Sequence, residues 1–235
     1  MISVCMPYWN RQDKLDGLVA QYATLYPDLS HEISVCDDGS PVPARAPAHV
    51  ILTRLPTKDR PRNPCVPINR AVEASAGDVI ALTNPEIRHD GPVLVEMLAM
   101  LRHPMDYIIA PCRHRGDRSN GMWLAGPETD YTTGGREPLP PGGHFHFLVL
   151  FTRELWNAAG GFDEDYRDGA ACDDNDWLWR AYAAGANFKV ANGLVWHHRN
   201  GHTRWGMPHN RQRLRSKWPA EKRAALIASR TEQVA

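Results

Sequence analysis

The sequence predicts an α/β fold: a mainly parallel sheet with helices on both faces, followed by a basic helical tail. Three observations predict it. Short apolar runs of strand length recur through the first half of the chain. Amphipathic stretches of helix length lie between them. Each apolar run stops abruptly at polar or turn residues.

The elements follow in order. Residues 2–6 form an apolar run that ends at Pro7, which reads as a buried strand. Asp13 caps a helix that carries Leu15, Leu18, Val19, Tyr22 and Leu25 on one face. Residues 32–36 make a second strand, stopped by Asp37-Asp38-Gly39-Ser40, and residues 49–53 make a third. A loop rich in proline and arginine, 54–64, leads into a helix over 66–75 that Gly77 terminates. Residues 78–82 form a fourth strand broken by Asn84-Pro85-Glu86; a helix over 92–101 and a strand over 106–110 come next. The stretch 111–143, rich in Gly, Pro, Arg and Thr, reads as a long loop over the site. Residues 144–152 are a strand, 174–184 a helix, and 188–191 and 194–197 short strands. Residues 208–229 are one or two basic helices.

Composition bounds the function. The 235 residues carry 27 basic and 27 acidic side chains, so no global attraction to polyanions exists. The charge is uneven: from Arg199 to Arg230 nine Lys/Arg face one acid, Glu221, which leaves 18 basic and 26 acidic residues elsewhere. The five cysteines are widely spaced and odd in number, without a zinc-like pattern, and read as reduced thiols of a cytoplasmic protein. The chain enters a strand directly after Met1, and it holds no run of about 18 apolar residues. No signal peptide or membrane span is therefore expected.

In a parallel sheet with helices on both faces, ligands bind beyond the carboxyl ends of the strands. Those ends carry Pro7–Arg11, Asp37-Asp38 and Asn84–Glu86, and the three groups are expected to meet in one crevice. Asp37 and Asp38 can accept hydrogen bonds from a nucleobase N–H or a ribose, though Asp-Gly-Ser is also a good turn sequence. Glu86 is a hard oxygen ligand suited to Mg²⁺ or Mn²⁺; Asn84 offers a neutral carbonyl, or simply ends the strand in an Asn-Pro turn. The densest chemistry follows Gly160-Gly161-Phe162-Asp163-Glu164. Nine residues after Glu164 comes Asp173-Asp174-Asn175-Asp176, at the start of a helix. Acids in a first turn favour the helix dipole, but three exceed what capping needs. Asp176 suits an i+4 pair with Arg180. Trp123, Trp177, Trp179, Trp196 and Trp205 crowd the same half, as core or as stacking surfaces.

Four segments in this order resemble the family-2 glycosyltransferases of GT-A fold. ISVCMPYWNR (2–11) is similar to that family's first strand and its P-x-x-N-R turn, and EISVCDDGS (32–40) to its second strand and D-D-G-S. NRAVEASAGDVIALTNPEI (69–87) resembles its R-N-x-G-x-x-x-A-x-G-D helix and strand, and residues 160–185 resemble G-G-F-D-E…E-D-x-D-L-x-x-R…G. Asn210, Lys217 and Trp218 are similar to the closing N…K-W. Asn-Pro-Glu in place of D-x-D, and Phe145-His146-Phe147, resemble a branch common in phage and environmental sequences.

The resemblance implies one GT-A-like domain over 1–205, with a nucleotide-sugar half (1–110) and an acceptor half (111–205), and a basic tail over 206–235. It implies an inverting transfer from a nucleoside-diphosphate sugar, UDP- or dTDP-linked, to an acceptor hydroxyl. Asp174 matches the general base and Asp173 its supporting acid. Pro7, Tyr8, Asn10, Arg11, Asp37, Asp38, Asn69, Asn84 and Glu86 match donor-binding positions. Glu86 and His197 match metal-binding positions for Mn²⁺ or Mg²⁺. Trp177 and His146 are acceptor candidates; His198 and His202 are weaker candidates than His197 for the metal or diphosphate. Ile68 stands where the family has an arginine, so one expected phosphate contact is missing, and Arg60, Arg62, Arg204 and Lys217 are candidates to compensate; Arg70 sits beside Asn69 on the helix near the donor site. The acceptor is a saccharide or a nucleic acid, and the basic tail could touch phosphates or an anionic membrane surface. Two alternatives remain: a nucleotidyltransferase, disfavoured because Pro7–Arg11 has no glycine, and a non-catalytic module binding sugar nucleotides or glycans.

Overall fold

The structure is a computed structural model that describes residues 1–115, 122–123, 147–198 and 207–234. Its centre is a seven-stranded sheet. The parallel part consists of β1 (Ile2–Tyr8), β2 (His31–Asp37), β3 (Val50–Arg54) and β4 (Val79–Thr83). With β5 (Ile87–His89) outside it, the sheet continues through β6 (Asp106–Ile109), β9 (Leu148–Thr152) and β10 (Asn187–Val190), in the order β10-β6-β9-β4-β1-β2-β3. β9 runs antiparallel to both β4 and β6, so the sheet is mixed.

β1 is buried almost throughout, as expected of an apolar run at the middle of a sheet covered on both sides. One layer is α1 (Gln12–Leu25), which buries Leu15, Leu18, Val19 and Tyr22, together with α3 (Val93–Met100). Asp13 does not cap α1: the N-cap is Arg11, and Asp13 lies inside the first turn. The other layer holds α2 (Cys65–Glu73), α4 (Arg153–Ala159) and α5 (Asp173–Ala183).

A second sheet was not legible in the sequence. β5, β7 (Cys112–Arg115), β8 (Met122–Trp123) and β11 (Val195–His198) pair in the order β5-β11-β7-β8. The stretch read as a long loop therefore begins as strand. α6 (Met207–Lys217) and α7 (Ala220–Val234) close the chain as two helices. Among the described residues no helix is long and apolar enough to cross a membrane. All five cysteines are buried free thiols.

Candidate active site

The three strand-end groups do converge. The Asp38 backbone N–H donates to the Tyr8 carbonyl, and the Asn10 N–H donates to the Ser40 hydroxyl at 2.9 Å. Arg11 reaches across to Glu86, pairing with Oε1 at 2.5 Å. Asn10 turns the chain with φ of 48°. Pro7 is half-buried, and the Tyr8 ring packs into the core with its neighbour strands. The Tyr8 hydroxyl meets the main chain of Arg11.

The two aspartates of the second strand differ. Asp37 accepts from the backbone N–H of Ser40 at 2.8 Å and of Ala44 at 3.0 Å, and it pairs with Arg54. Burial acts to raise its pKa, but these donors and Arg54 outweigh burial and hold it below the usual range. Its carboxylate organises the turn that follows β2. Asp38 accepts from the Arg62 N–H at 2.7 Å and forms an ion pair with the same side chain. Here burial wins, and the carboxyl is pushed up to about 6.

Asn84 ends β4 in a turn, its carbonyl accepting from the Ile87 N–H at 3.1 Å. The turn feeds β5, which pairs antiparallel with β11, and the register sets His197 opposite Ile87. That register brings His197 Nε2 to 3.5 Å from Glu86 Oε1. Both side chains are buried. Burial alone would raise the Glu86 pKa; hydrogen bonding to His197 and the Arg11 charge bring it down to about 2. Glu86 Oε2 is buried and has no hydrogen-bond partner among the described residues. No cluster of three or more His, Cys, Asp or Glu able to hold a metal occurs among them. A carboxylate oxygen and an imidazole nonetheless suit a divalent cation that takes its remaining ligands from phosphate and water. The orphan oxygen fits that use.

The helix side is built differently. Gly160 and Gly161 have φ of 80° and 65°, so the chain turns where only glycine is unstrained. Asn69 clasps the following residue: its Nδ2 donates to the Phe162 carbonyl at 2.9 Å, and its Oδ1 accepts from the Phe162 N–H at 2.9 Å. Both ends of the Asn69 amide thus hold the residue that follows the Gly-Gly turn. Arg70 pairs with Glu73 and Glu164. Ala171 and Cys172 both adopt left-handed backbone (φ 65° and 72°), a costly conformation for residues with a Cβ. Two asparagines hold this turn in place, Asn63 Nδ2 at 3.3 Å and Asn210 Nδ2 at 3.1 Å from the Ala171 carbonyl.

The turn delivers the acids at the start of α5. Asp173 is buried and accepts from Asn63 Nδ2 at 3.0 Å. Asp174 is half-buried, with Oδ1 accepting from the Asn175 N–H at 2.8 Å. Burial raises the pKa of both, and the charge of Asp173 raises Asp174 further. The protons belong to the pair, and the pair releases the last one well above the ordinary carboxylate range. Asp176 is fully buried and neutralised: Arg180 Nε and Lys217 Nζ bind Oδ2 at 2.8 and 2.9 Å, and Trp218 Nε1 donates to Oδ1 at 2.8 Å. The i+4 pair expected from sequence is present, joined by two partners from the tail.

Trp177 is corrected. It is fully buried, stacked on Phe162 at 5.3 Å, with Nε1 donating to the Tyr107 hydroxyl at 3.4 Å. A ring with no exposed face cannot receive a sugar. Trp179 is buried against Trp218. His146, His202, Arg204 and Trp205 lie outside the described residues, as do the side chains of Trp123 and His198. Sequence reasoning missed Asn63 and Arg54. Each sits in a polar loop or at a strand end, and only the strand-end acids pointed to a need for such partners.

Contacts between residues near in the chain join the two sides: His197–Glu86–Arg11, then Asn10–Ser40, then Asp38–Arg62, then Asn63–Asp173. Comparisons place this arrangement among known folds. TarS of S. aureus matches with a TM-score of 0.61 at 15% identity over 91% of this chain and 38% of that one. TarS 1-349 in complex with UDP-GlcNAc gives 0.62 at 14% identity, over 86% and 60%. GalNAc-T7 with UDP, GalNAc and Mn²⁺ gives 0.68 at 15% identity, over 99% and 50%. The chain thus spans between about a third and two thirds of these proteins, and at such identities the likeness is one of fold, the GT-A fold. No curated protein matches the sequence. The sequence profile described as Glycosyl transferase family 2 matches residues 3–155, well over half of the chain. The chain belongs to glycosyl transferase family 2.

Proposed function

We propose that the protein transfers a sugar from a nucleoside-diphosphate sugar, UDP- or dTDP-linked, to an acceptor hydroxyl with inversion. Family membership supports nucleotide-sugar chemistry, and UDP or UDP-GlcNAc in the similar structures supports the donor class. The observation that carries the reading is the proximity of two unlike carboxylate groups, linked through Arg62 and Asn63.

Residues 1–110 bind the donor in this reading, with Asp38, Asn10 and Arg11 nearest to it. Residues 111–205 receive the acceptor, and 206–235 form the helical tail. Glu86 and His197 would hold Mn²⁺ or Mg²⁺, which supplies positive charge against the leaving diphosphate. Arg11 adds a second positive group at the same carboxylate. Asp174 takes the acceptor proton. Its raised proton affinity matches a base that must capture a proton near neutral pH. Asp173, fixed by Asn63, keeps that affinity high by its own charge. Inversion follows from attack by the acceptor oxygen on the face opposite the leaving group, with no carboxylate bonded to the sugar.

Most of the tail's cations are engaged: Arg213 with Asp165, Lys217 with Asp163 and Asp176, Lys222 over Trp218, Arg223 over Trp179, and Arg230 with the carbonyls of Tyr182 and Ala186. A saccharide acceptor is therefore favoured over nucleic acid or a membrane surface for this segment. The test is incubation with Mn²⁺ and a panel of nucleotide sugars. Slow release of free nucleotide from one donor is expected; binding without turnover across the panel would sink the enzymatic reading.

A further inference from the structure

A cavity of about 440 Å³ opens beside Asp38. Lys58, Arg60, Arg62 and Arg167 line it, accompanied by Asp59 and Asp168, so cations outnumber acids two to one. The cations crowd one another. Burial and the Arg62 charge together push the Lys58 ammonium below its usual pKa. Arg62 pairs with Asp38 through Nε, while its Nη2 is buried and makes no hydrogen bond among the described residues. Like charges gathered around a cavity, with the Arg62 Nη2 unmatched, suit an oxyanion.

The cavity is not where a donor diphosphate would lie beside Glu86. Glu86 follows β4, whereas the lining residues 58–62 follow β3, and β1 and β2 lie between these strands. At about 4.8 Å per strand the offset is roughly 14 Å. The cavity lies at the border of the two halves: residues 58–62 come from the donor half, and Arg167 and Asp168 from the acceptor half, next to the elements that hold the helix-side acids. The Arg167 carbonyl accepts from the Asn63 N–H at 3.3 Å, and the Asn63 side chain binds Asp173.

We propose that this cavity binds a phosphate-type oxyanion carried by the acceptor, so that the acceptor is a phosphate-bearing saccharide. This deepens the glycosyltransferase reading and rests on it. The four cations hold the oxyanion and thereby orient the hydroxyl toward Asp174.

The test titrates inorganic phosphate into the full chain by calorimetry at fixed ionic strength, with and without saturating UDP. Phosphate should bind in both conditions. The Lys58→Ala/Arg167→Ala double variant should weaken it at least about tenfold while UDP affinity stays within about twofold. Arg167 is exposed and Lys58 half-buried on a loop, and circular dichroism verifies the fold of the variant. Three results would overturn the proposal: no phosphate binding, undiminished binding in the double variant, or binding that UDP abolishes. The last would assign the anion to the donor's own diphosphate. Failure of UDP to bind the unaltered protein would instead count against the glycosyltransferase reading, with the phosphate result still readable.

Discussion

On the strand-end side of the crevice every buried carboxylate meets an arginine. Asp37 meets Arg54, Asp38 meets Arg62 and Glu86 meets Arg11. On the helix side Asp173 and Asp174 are neighbours held by an asparagine and by main chain, and each raises the proton affinity of the site. Glu86 is consequently ionised down to about pH 2, while the Asp173–Asp174 pair keeps a proton far longer. One side is arranged to hold fixed charge, the other to exchange a proton. Asp38 is the exception on its side, because its burial outweighs Arg62.

The sharpest way to break this comparison is Asp174→Asn. Transfer should fall by about 10²–10⁴-fold, the usual contribution of a general base, with UDP affinity nearly unchanged. Stability should move the other way. A carboxyl whose folded pKa is raised binds more protons folded than unfolded. Its burial thus costs stability progressively as pH rises above about 4, and this cost is full above the raised pKa. Asp174→Asn should therefore melt higher than the unaltered protein at pH near 8. A lower melting temperature there would remove the case for a strained base.

Asp176→Asn tests whether position on α5 alone makes an acid reactive. Asp176 is two residues from Asp174 but neutralised by Arg180, Lys217 and Trp218. Removing its charge leaves the buried Arg180 without its carboxylate, while Lys217 keeps Asp163, a loss of about 3 kcal/mol. Chemical denaturation should register that loss, and, because the Asp176 charge helps raise Asp173, the pH dependence of any remaining turnover should move to slightly lower pH. An unchanged midpoint would mean that apolar packing alone docks the tail.

Glu86→Gln is the smallest effect and sharpens the other side. The Glu86 pKa is depressed, so its stabilisation is present above about 4.5 and disappears as pH falls toward about 2. The span corresponds to roughly 3 kcal/mol. Glu86→Gln should be less stable at pH 7 but lose less on acidification, and Mn²⁺ should no longer alter its tryptophan emission. Acid unfolding curves that superimpose would contradict the pairing.

The strands β1, β2 and β4 and the meeting of their polar ends were legible because apolar runs stop at charged residues. β5 was not: Ile87-Arg88-His89 has no apolar run, and its partner β11 lies more than a hundred residues on. That unseen pairing is what brings His197 to Glu86. The exposed or buried fate of Trp177 was equally hidden, since helical spacing does not say which face of α5 meets Phe151 and Phe162. The contact of Asn69 with Phe162 was hidden because the two are 93 residues apart.

The attachment of Lys217 and Trp218 to Asp176 also orders events in time. They follow Asp176 by 41 and 42 residues in the chain. At about 5–20 residues per second, a growing chain makes Asp176 roughly 2–8 s before its last two partners. During that interval Arg180 alone opposes its charge, and α5 lacks the brace that α6 supplies. The turn bearing Asp173 and Asp174 is likewise without Asn210. The acid-bearing helix is thus among the last parts of the molecule to be secured, although its own residues are made well before.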